Sequence, residues 1–196
     1  MKKLNIVLPA HNEHNNISPI YKEIILALAN CKYPYEILFI DDGSTDDTLA
    51  QIKALSATDS KVKFIELSRN FGHQNALKAG LDMCNADIII MMDCDLQHPP
   101  HLIYELLRNY ELGYEIVRTH RVDGNSVGFI KSKTSSLFYN IISKFSDIKI
   151  EEGSADFRLI SGTAITHLKS FNEFDLFYRG LVKWIGFKQI SIEYKA

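Results

Sequence analysis

Apolar residues along this chain follow two alternating rhythms. "LNIVL" (4–8), "YEILFI" (35–40), "VKFIEL" (62–67) and "DIIIMM" (87–92) are short, mostly continuous and rich in Ile, Val and Phe. That is the pattern of strands covered on both faces. Between them apolar residues recur at helical spacing. Ile20, Ile24, Ile25 and Leu28 follow Ser18-Pro19, and Leu49, Ile52 and Leu55 follow Ser44, with Asp47 three residues after it. Both serines read as helix caps. Leu77, Gly80, Leu81 and Cys84 form a third stripe. Leu102, Ile103, Leu106, Leu107 and Tyr110 form a fourth, opened by Pro99-Pro100 and closed by Gly113. "KQISIEY" near the end reads as a further strand. Strand–helix alternation with short connections predicts an α/β fold, a mainly parallel sheet between helical layers. No repeat, low-complexity tract or linker interrupts it, so residues 1–196 are expected to form one domain.

In such sheets ligands bind beyond the carboxyl ends of the strands, and polar clusters stand there: "PAHNE", "DDGSTDD", "SRNFGHQN" and "DCDLQ". In extended backbone, residues i and i+2 point the same way, so Asp93 and Asp95 can face one point. Two carboxylates so close call for a cation between them. Mg2+ or Mn2+ fits, with Gln97 as a third oxygen from the same turn. A solvated loop with an aspartate cap before Pro99 has the same short pattern; the three neighbouring clusters favour the metal. Gly43, Ser44 and Thr45 read as a turn and helix start, with Asp46 and Asp47 at the helix's positive end. Asp41 and Asp42 precede that cap, where a carboxylate can accept from a ribose hydroxyl or a base N–H. His11 either stacks on a base or is an exposed loop histidine. Asn70 and Gly72 read as a tight turn, Gly80 as close helix packing, and Arg69 as a partner of phosphate or of solvent.

The second half differs. "VRTHR" carries Arg118 and Arg121, forks suited to a phosphate. Ile130, Leu137, Phe138, Ile141, Ile142 and Phe145 share one helical face, with Lys131, Lys133 and Lys144 around it. Such a helix lies on a membrane surface or packs on its own domain. Asp156, before an apolar run, reads as a catalytic base or as a cap.

At 196 residues and 46% hydrophobic, the chain can bury a sizeable core. Its formal charge of −2 gives no global attraction to nucleic acid or anionic lipid, so anion binding must be local. Cys31, Cys84 and Cys94 form no CxxC, and with no signal peptide read at the start they are expected as free thiols in a reducing cytosol. No run approaches the roughly 18 apolar residues that span a bilayer. Neither GxGxxG nor GxxxxGK[ST] occurs, and a nucleotidyltransferase would need a Gly-rich loop after the first strand.

Taken in order, "PAHNE", "IDDGSTDDT", "LSRNFGHQ", "MDCDLQHPP", "ADFRL" and "RGLVKWIGF" resemble the motifs of family 2 glycosyltransferases. The likeness is to the polyprenyl-phosphate branch, which holds dolichol-phosphate mannosyltransferases and bacterial undecaprenyl-phosphate glycosyltransferases, and it covers nearly the whole chain. It implies a GT-A (Rossmann-like) three-layer sandwich. It also implies a nucleotide-sugar pocket lined by Pro9, His11, Glu13, Asp41, Asp42 and Asp93, and a metal held by Asp93, Asp95 and Gln97. Arg118, Arg121, Lys131 and Ser135 match the region that receives the lipid phosphate, and Asp156 the acidic position proposed as base, with Asp95 beside it in the catalytic set. His11 stands where the family usually has Tyr. Relatives usually continue into two or four transmembrane helices, and none is read here.

The expected activity is therefore inverting transfer of a hexose from a nucleotide-diphosphate sugar, UDP-glucose favoured, to a polyprenyl phosphate in cell-envelope glycan synthesis. The expected setting is the cytoplasmic face of the membrane, with peripheral attachment, no nucleic-acid partner, and a homo-oligomer in view. Two rivals stand beside it: a soluble transferase with a hydroxyl acceptor, and a truncated remnant that binds nucleotide sugars without turnover.

Overall fold

The computed structural model describes residues 1–122, 154–171 and 178–194. Within these, seven strands form one sheet in the order β3-β2-β1-β4-β6-β5-β7. They are β1 (Leu4–Ala10), β2 (Tyr35–Asp41), β3 (Val62–Glu66), β4 (Ile88–Met91), β5 (Ile116–Arg121), β6 (Ser154–Ser161) and β7 (Gln189–Tyr194). The helices are α1 (Ile17–Ala27), α2 (Thr48–Thr58), α3 (His73–Met83), α4 (Ile103–Glu111) after a 3-10 turn at Pro100–Leu102, α5 (Gly162–Lys169) and α6 (Tyr178–Trp184).

The continuous apolar runs are explained by what covers them. Leu4, Ile6 and Leu8 of β1 pack with Ile37, Phe39, Ile88 and Ile90 under α1, α2 and α4, through Ile17, Ile20, Ile24, Ile52, Ile103 and Leu106. The intervening residues Val7, Leu38, Ile40, Ile89 and Met91 face the other way, against Ala76, Leu77 and Leu81 of α3, Ala164 and Leu168 of α5, and Val182 of α6. The expected three-layer sandwich is the fold found. Strand β3 departs from the expectation of two covered faces: it is the edge strand, and Lys63, Phe64 and Glu66 are exposed.

Two glycines record close approaches. A Cβ at Gly80 would come within 2.7 Å of Ile40 Cδ1 and 2.8 Å of Val7 Cγ1, so its absence lets α3 lie directly on the sheet. Gly43 has φ +63°, and a Cβ there would lie 2.3 Å from the backbone carbon of Arg69, so the loops after β2 and β3 touch backbone to backbone.

The helix starts differ from the capping expectation. Helix α1 begins at Ile17, with Asn16 rather than Ser18 in the cap position. Helix α2 begins only at Thr48, where Asp46 Oδ1 accepts from the Thr48 backbone N–H at 3.0 Å. Ser44 instead accepts from the Asn12 backbone N–H at 3.0 Å, and Asn12 Oδ1 accepts from the Thr45 N–H at 2.9 Å. The turn is longer than a simple cap because it ties the loop after β2 to the loop after β1.

Parallel pairing joins β3, β2, β1 and β4 in one block. After β3 the chain returns to the opposite side of β1, which makes the gap between β1 and β4 a topological switch point, where open α/β sheets form their crevice. Strand β6 then runs antiparallel to β4, with Arg158 opposite Met91.

Candidate active site

At that switch point lies a cleft of about 580 Å³, a volume in the range of small-ligand sites. The loops after β1, β2, β3 and β4 all reach it, through His11 and Glu13, Asp42, Asn70 and His73, and Asp93 and Asp95. Asp156 completes the wall from β6. Reversal of that strand brings it there: with Arg158 opposite Met91, Asp156 enters at the same end where Asp93 leaves β4.

Asp93 is the centre of the site. Its Oδ1 lies 2.7 Å from His73 Nε2 and its Oδ2 lies 3.4 Å from His98 Nε2. Burial opposes its charge, but hydrogen bonding to the two imidazoles prevails and holds the carboxyl well below the usual carboxylate range. Asp156 is 2% exposed, and its Oδ1 accepts from Nη2 of the fully buried Arg158 at 2.6 Å.

Among the described residues, His73, Asp93 and Asp156 bring one ligand atom each within 4.8 Å of one another. One nitrogen and two carboxylate oxygens suit Mn2+ or Mg2+ more than a thiolate-seeking ion, so the residues fit a divalent cation. This set differs from the expected Asp93, Asp95 and Gln97, with only Asp93 in common. Asp95 lines the cleft, and its Oδ1 accepts from the Gln97 backbone N–H at 3.1 Å. Between them Leu96 takes φ 58°, a left-handed conformation unusual for leucine, which turns the chain there. Gln97 is exposed and its Oε1 lies 3.5 Å from Arg121 Nη1, outside the cleft lining.

Of the expected nucleotide residues, Pro9, His11 and Glu13 line the cleft. His11 Nδ1 donates to the Asp42 carbonyl at 2.9 Å, which fixes the ring at the rim. Asp42 accepts the backbone N–H groups of Phe71 and Gly72 at 2.8 and 2.9 Å. Its two oxygens thereby shape the loop before α3. Asp41 is not in the lining; it is 1% exposed and its Oδ2 accepts from the Ser44 N–H at 3.2 Å. Arg118 and Arg121 sit on β5, the strand beyond β6, and outside the cleft lining. Lys131 and Ser135 lie outside the described residues, as does the basic amphipathic stretch around them.

His73 and Arg158 were not singled out from the sequence. His73 belongs to the polar cluster after β3, where its place at the first turn of α3 and its metal-ligating chemistry were available signals. Arg158 gives none: a basic residue in an apolar run declares its partner only once β6 is folded.

The family model for "Glycosyl transferase family 2" matches residues 5–174. The prophage bactoprenol glucosyl transferase homolog of Escherichia coli (strain K12) is 38% identical over 192 residues, covering 98% of this chain and 63% of the relative. Bactoprenol glucosyl transferase of Shigella phage SfX is 38% identical over 193 residues, again covering 98% of this chain and 63% of the relative. The chain thus spans under two thirds of the length of these relatives. Among solved structures, the mannosyltransferase PcManGT of Pyrobaculum calidifontis, in complex with GDP-Man and Mn2+, superposes with TM-score 0.65 at 16% identity, covering 98% of this chain and 55% of that one. Glucosyl-3-phosphoglycerate synthase of Mycobacterium tuberculosis, with Mn2+, UDP and glucosyl-3-phosphoglycerate, gives 0.61 at 19%, covering 100% and 71%. At those identities the two structures speak to the fold.

Proposed function

The chain belongs to glycosyl transferase family 2, and from that premise we propose that it transfers a hexose, with UDP-glucose as favoured donor, to a polyprenyl phosphate. The observation that carries the reading is the meeting of Asp93 and Asp156 at the switch point of the sheet, in a cleft large enough for a nucleotide sugar. The bactoprenol glucosyl transferases among the relatives support the acceptor class.

His73, Asp93 and Asp156, with Asp95 in the same cleft, would hold Mg2+ or Mn2+. Bound there, such an ion supplies positive charge to a leaving diphosphate. The chain's own groups do the rest. His11 offers a ring face at the rim for the base, with its Nδ1–H already engaged. Glu13 and the Asp42-braced loop border the nucleotide, and Asp41 backs that loop. Arg158 orients Asp156, whose charge and position steer the acceptor. Arg118 and Arg121 of β5, with Lys131 and Ser135, are assigned to the acceptor phosphate.

The bond from the anomeric carbon to the donor diphosphate breaks as one forms to the acceptor oxygen on the opposite face, inverting the configuration. A phosphate monoester carries about −1.5 to −2 charge at neutral pH, with a second pKa near 6. It therefore arrives largely without a proton to lose, and little general-base help is called for. Residues 1–196 are taken as one catalytic domain working peripherally at the cytoplasmic face of the membrane, and association of copies of the chain is part of this reading. No helix of the described residues is long and apolar enough to cross a membrane.

The test is incubation with radiolabelled UDP-glucose, undecaprenyl phosphate in phospholipid vesicles, and Mn2+, followed by organic extraction. Metal-dependent label in the lipid phase, lost in Asp93→Asn, is expected. Label passing instead to a free sugar or protein hydroxyl without lipid would replace this reading with the hydroxyl-acceptor one.

A further inference from the structure

Strand β7 is separated from β4 by β6 and β5, yet its last residue reaches the site. Tyr194 is 6% exposed, and its hydroxyl lies 2.7 Å from His98 Nδ1. His98 is 9% exposed, and its ring is held between Phe157 and Tyr194, at centroid distances of 5.9 and 6.1 Å. Its Nε2 faces Asp93 Oδ2 at 3.4 Å.

The partners on the two ring nitrogens decide where hydrogens can sit. At His73, Nδ1 lies 3.1 Å from the Gln74 amide nitrogen, which has only hydrogens to offer. Without a bound ion, Nδ1 of His73 is therefore the acceptor and its Nε2–H points at Asp93; an ion held by His73 would take the place of that hydrogen. At His98, Nε2 faces a carboxylate and must carry a hydrogen, since two lone pairs would otherwise oppose each other. In the neutral ring that leaves Nδ1 bare, and Tyr194 must be the donor to it. The two oxygens of Asp93 thus face separate imidazole N–H groups.

We propose that Tyr194 and His98 are positioning residues that fix the Asp93 carboxylate from the far edge of the sheet. The inference rests on Asp93 as a donor-site ligand, and it adds a control running through β7. Removing the Tyr194 hydroxyl takes the donor from Nδ1, so the Nδ1–H tautomer, whose bare Nε2 repels Asp93, becomes populated beside the Nε2–H form and loosens the carboxylate. Outer partners of metal ligands commonly contribute about 10- to 100-fold in affinity.

Two measurements on the whole chain test this. The first assigns the His98 tautomer by long-range proton–nitrogen NMR with labelled histidine at pH 8. A hydrogen on Nε2, giving way to a mixture of tautomers in Tyr194→Phe, is expected; a wild-type ring protonated on Nδ1 alone overturns the proposal. The second is Mn2+ binding followed by electron paramagnetic resonance. His98→Ala should weaken it about tenfold or more, and Tyr194→Phe about fivefold, the equivalent of one hydrogen bond. His98→Gln, whose amide restores a donor toward Asp93, should stay near wild type. Equal Mn2+ affinity in wild type and both weakened variants overturns the proposal, and a merely structural role would lower Tm without that pattern. Should the wild type bind no Mn2+, the metal reading fails, and the tautomer measurement alone decides the role of Tyr194. Tyr194→Phe also serves where His98→Ala fails to fold.

Discussion

Arg158 and Asp156 stand two residues apart on β6, point the same way, and close a 2.6 Å ion pair with 0% and 2% of their surfaces in water. Breaking a buried pair by removing one partner costs more than the pair contributes, because the other charge is stranded. Arg158→Met is expected to destabilise the protein by about 3–5 kcal/mol. The double change Arg158→Met, Asp156→Leu should recover much of that loss. Urea unfolding of both variants measures the coupling.

Asp156→Asn separates positioning from proton removal. With a lipid phosphate as acceptor, transfer should slow by about tenfold to a hundredfold, the scale of a displaced catalytic contact. The acidic limb of its pH–rate profile should match the wild type. Disappearance of a group titrating near neutrality would make Asp156 a true base and favour a hydroxyl acceptor.

Asp46 links helix α2 to the first loop, accepting from Thr48 and lying 2.7 Å from His14 Nδ1. Burial opposes its charge, yet the hydrogen bonds from Thr48 and His14 hold its pKa well below the ordinary value. A depressed carboxyl contributes stability above its unfolded pKa and loses it as pH falls through the folded one. Asp46→Ala should cost about 1 kcal/mol at pH 7, the scale of a lost helix cap. That gap should narrow below about pH 4, where the unfolded carboxyl takes up its proton. Thermal unfolding of both proteins from pH 7 to pH 2 follows it.

Gly43→Ala and Gly80→Ala should differ. The first places a Cβ 2.3 Å from backbone at a left-handed φ, where neither atom can yield. The second meets the movable ends of Ile40 and Val7. Gly80→Ala is expected to cost about 1–3 kcal/mol, as overpacking does, and Gly43→Ala more than that. Denaturant midpoints give the order.

Burial pushes the Cys94 thiol well up, and the nearby charges of Glu13, Asp93 and Asp95 push it further, although the residue lines the cleft. Cys84 is also buried and raised, chiefly by desolvation, whereas Cys31 is half-buried. Iodoacetamide at pH 8 should label Cys31 first, and mass spectrometry of the peptides reads the order. Prompt labelling of Cys94 would show the cleft to be more open than described.

What could be read from the sequence was mostly local. Strands β1, β2 and β4 are legible as continuous apolar runs because both faces are covered, whereas β5 and β6 are not read as strands, and Gly80 is legible through its place on the apolar stripe of α3. The clusters after β1 to β4 could be gathered at one edge by topology alone, which put His11, Glu13, Asp93 and Asp95 in one cleft. Pairing across the sheet was less accessible. Nothing in "SADFRLIS" declares that β6 runs against β4, so the approach of Asp156 to Asp93 and the burial of Arg158 depend on a long-range register. The role of His98 is hidden for a similar reason, since its partner Tyr194 lies 96 residues away.

The antiparallel seam between β4 and β6 has a consequence for how such a molecule can diversify. Everything on one side of it, from β3 to β4, is built by the first part of the chain, and the strands on the other side come from later segments. If Arg118 and Arg121 serve the acceptor as proposed, exchange of the later segments between relatives is a route to a new recipient. The backbone register that lines up Asp156 with Asp93, and the reach of Tyr194 to His98, would have to survive the graft.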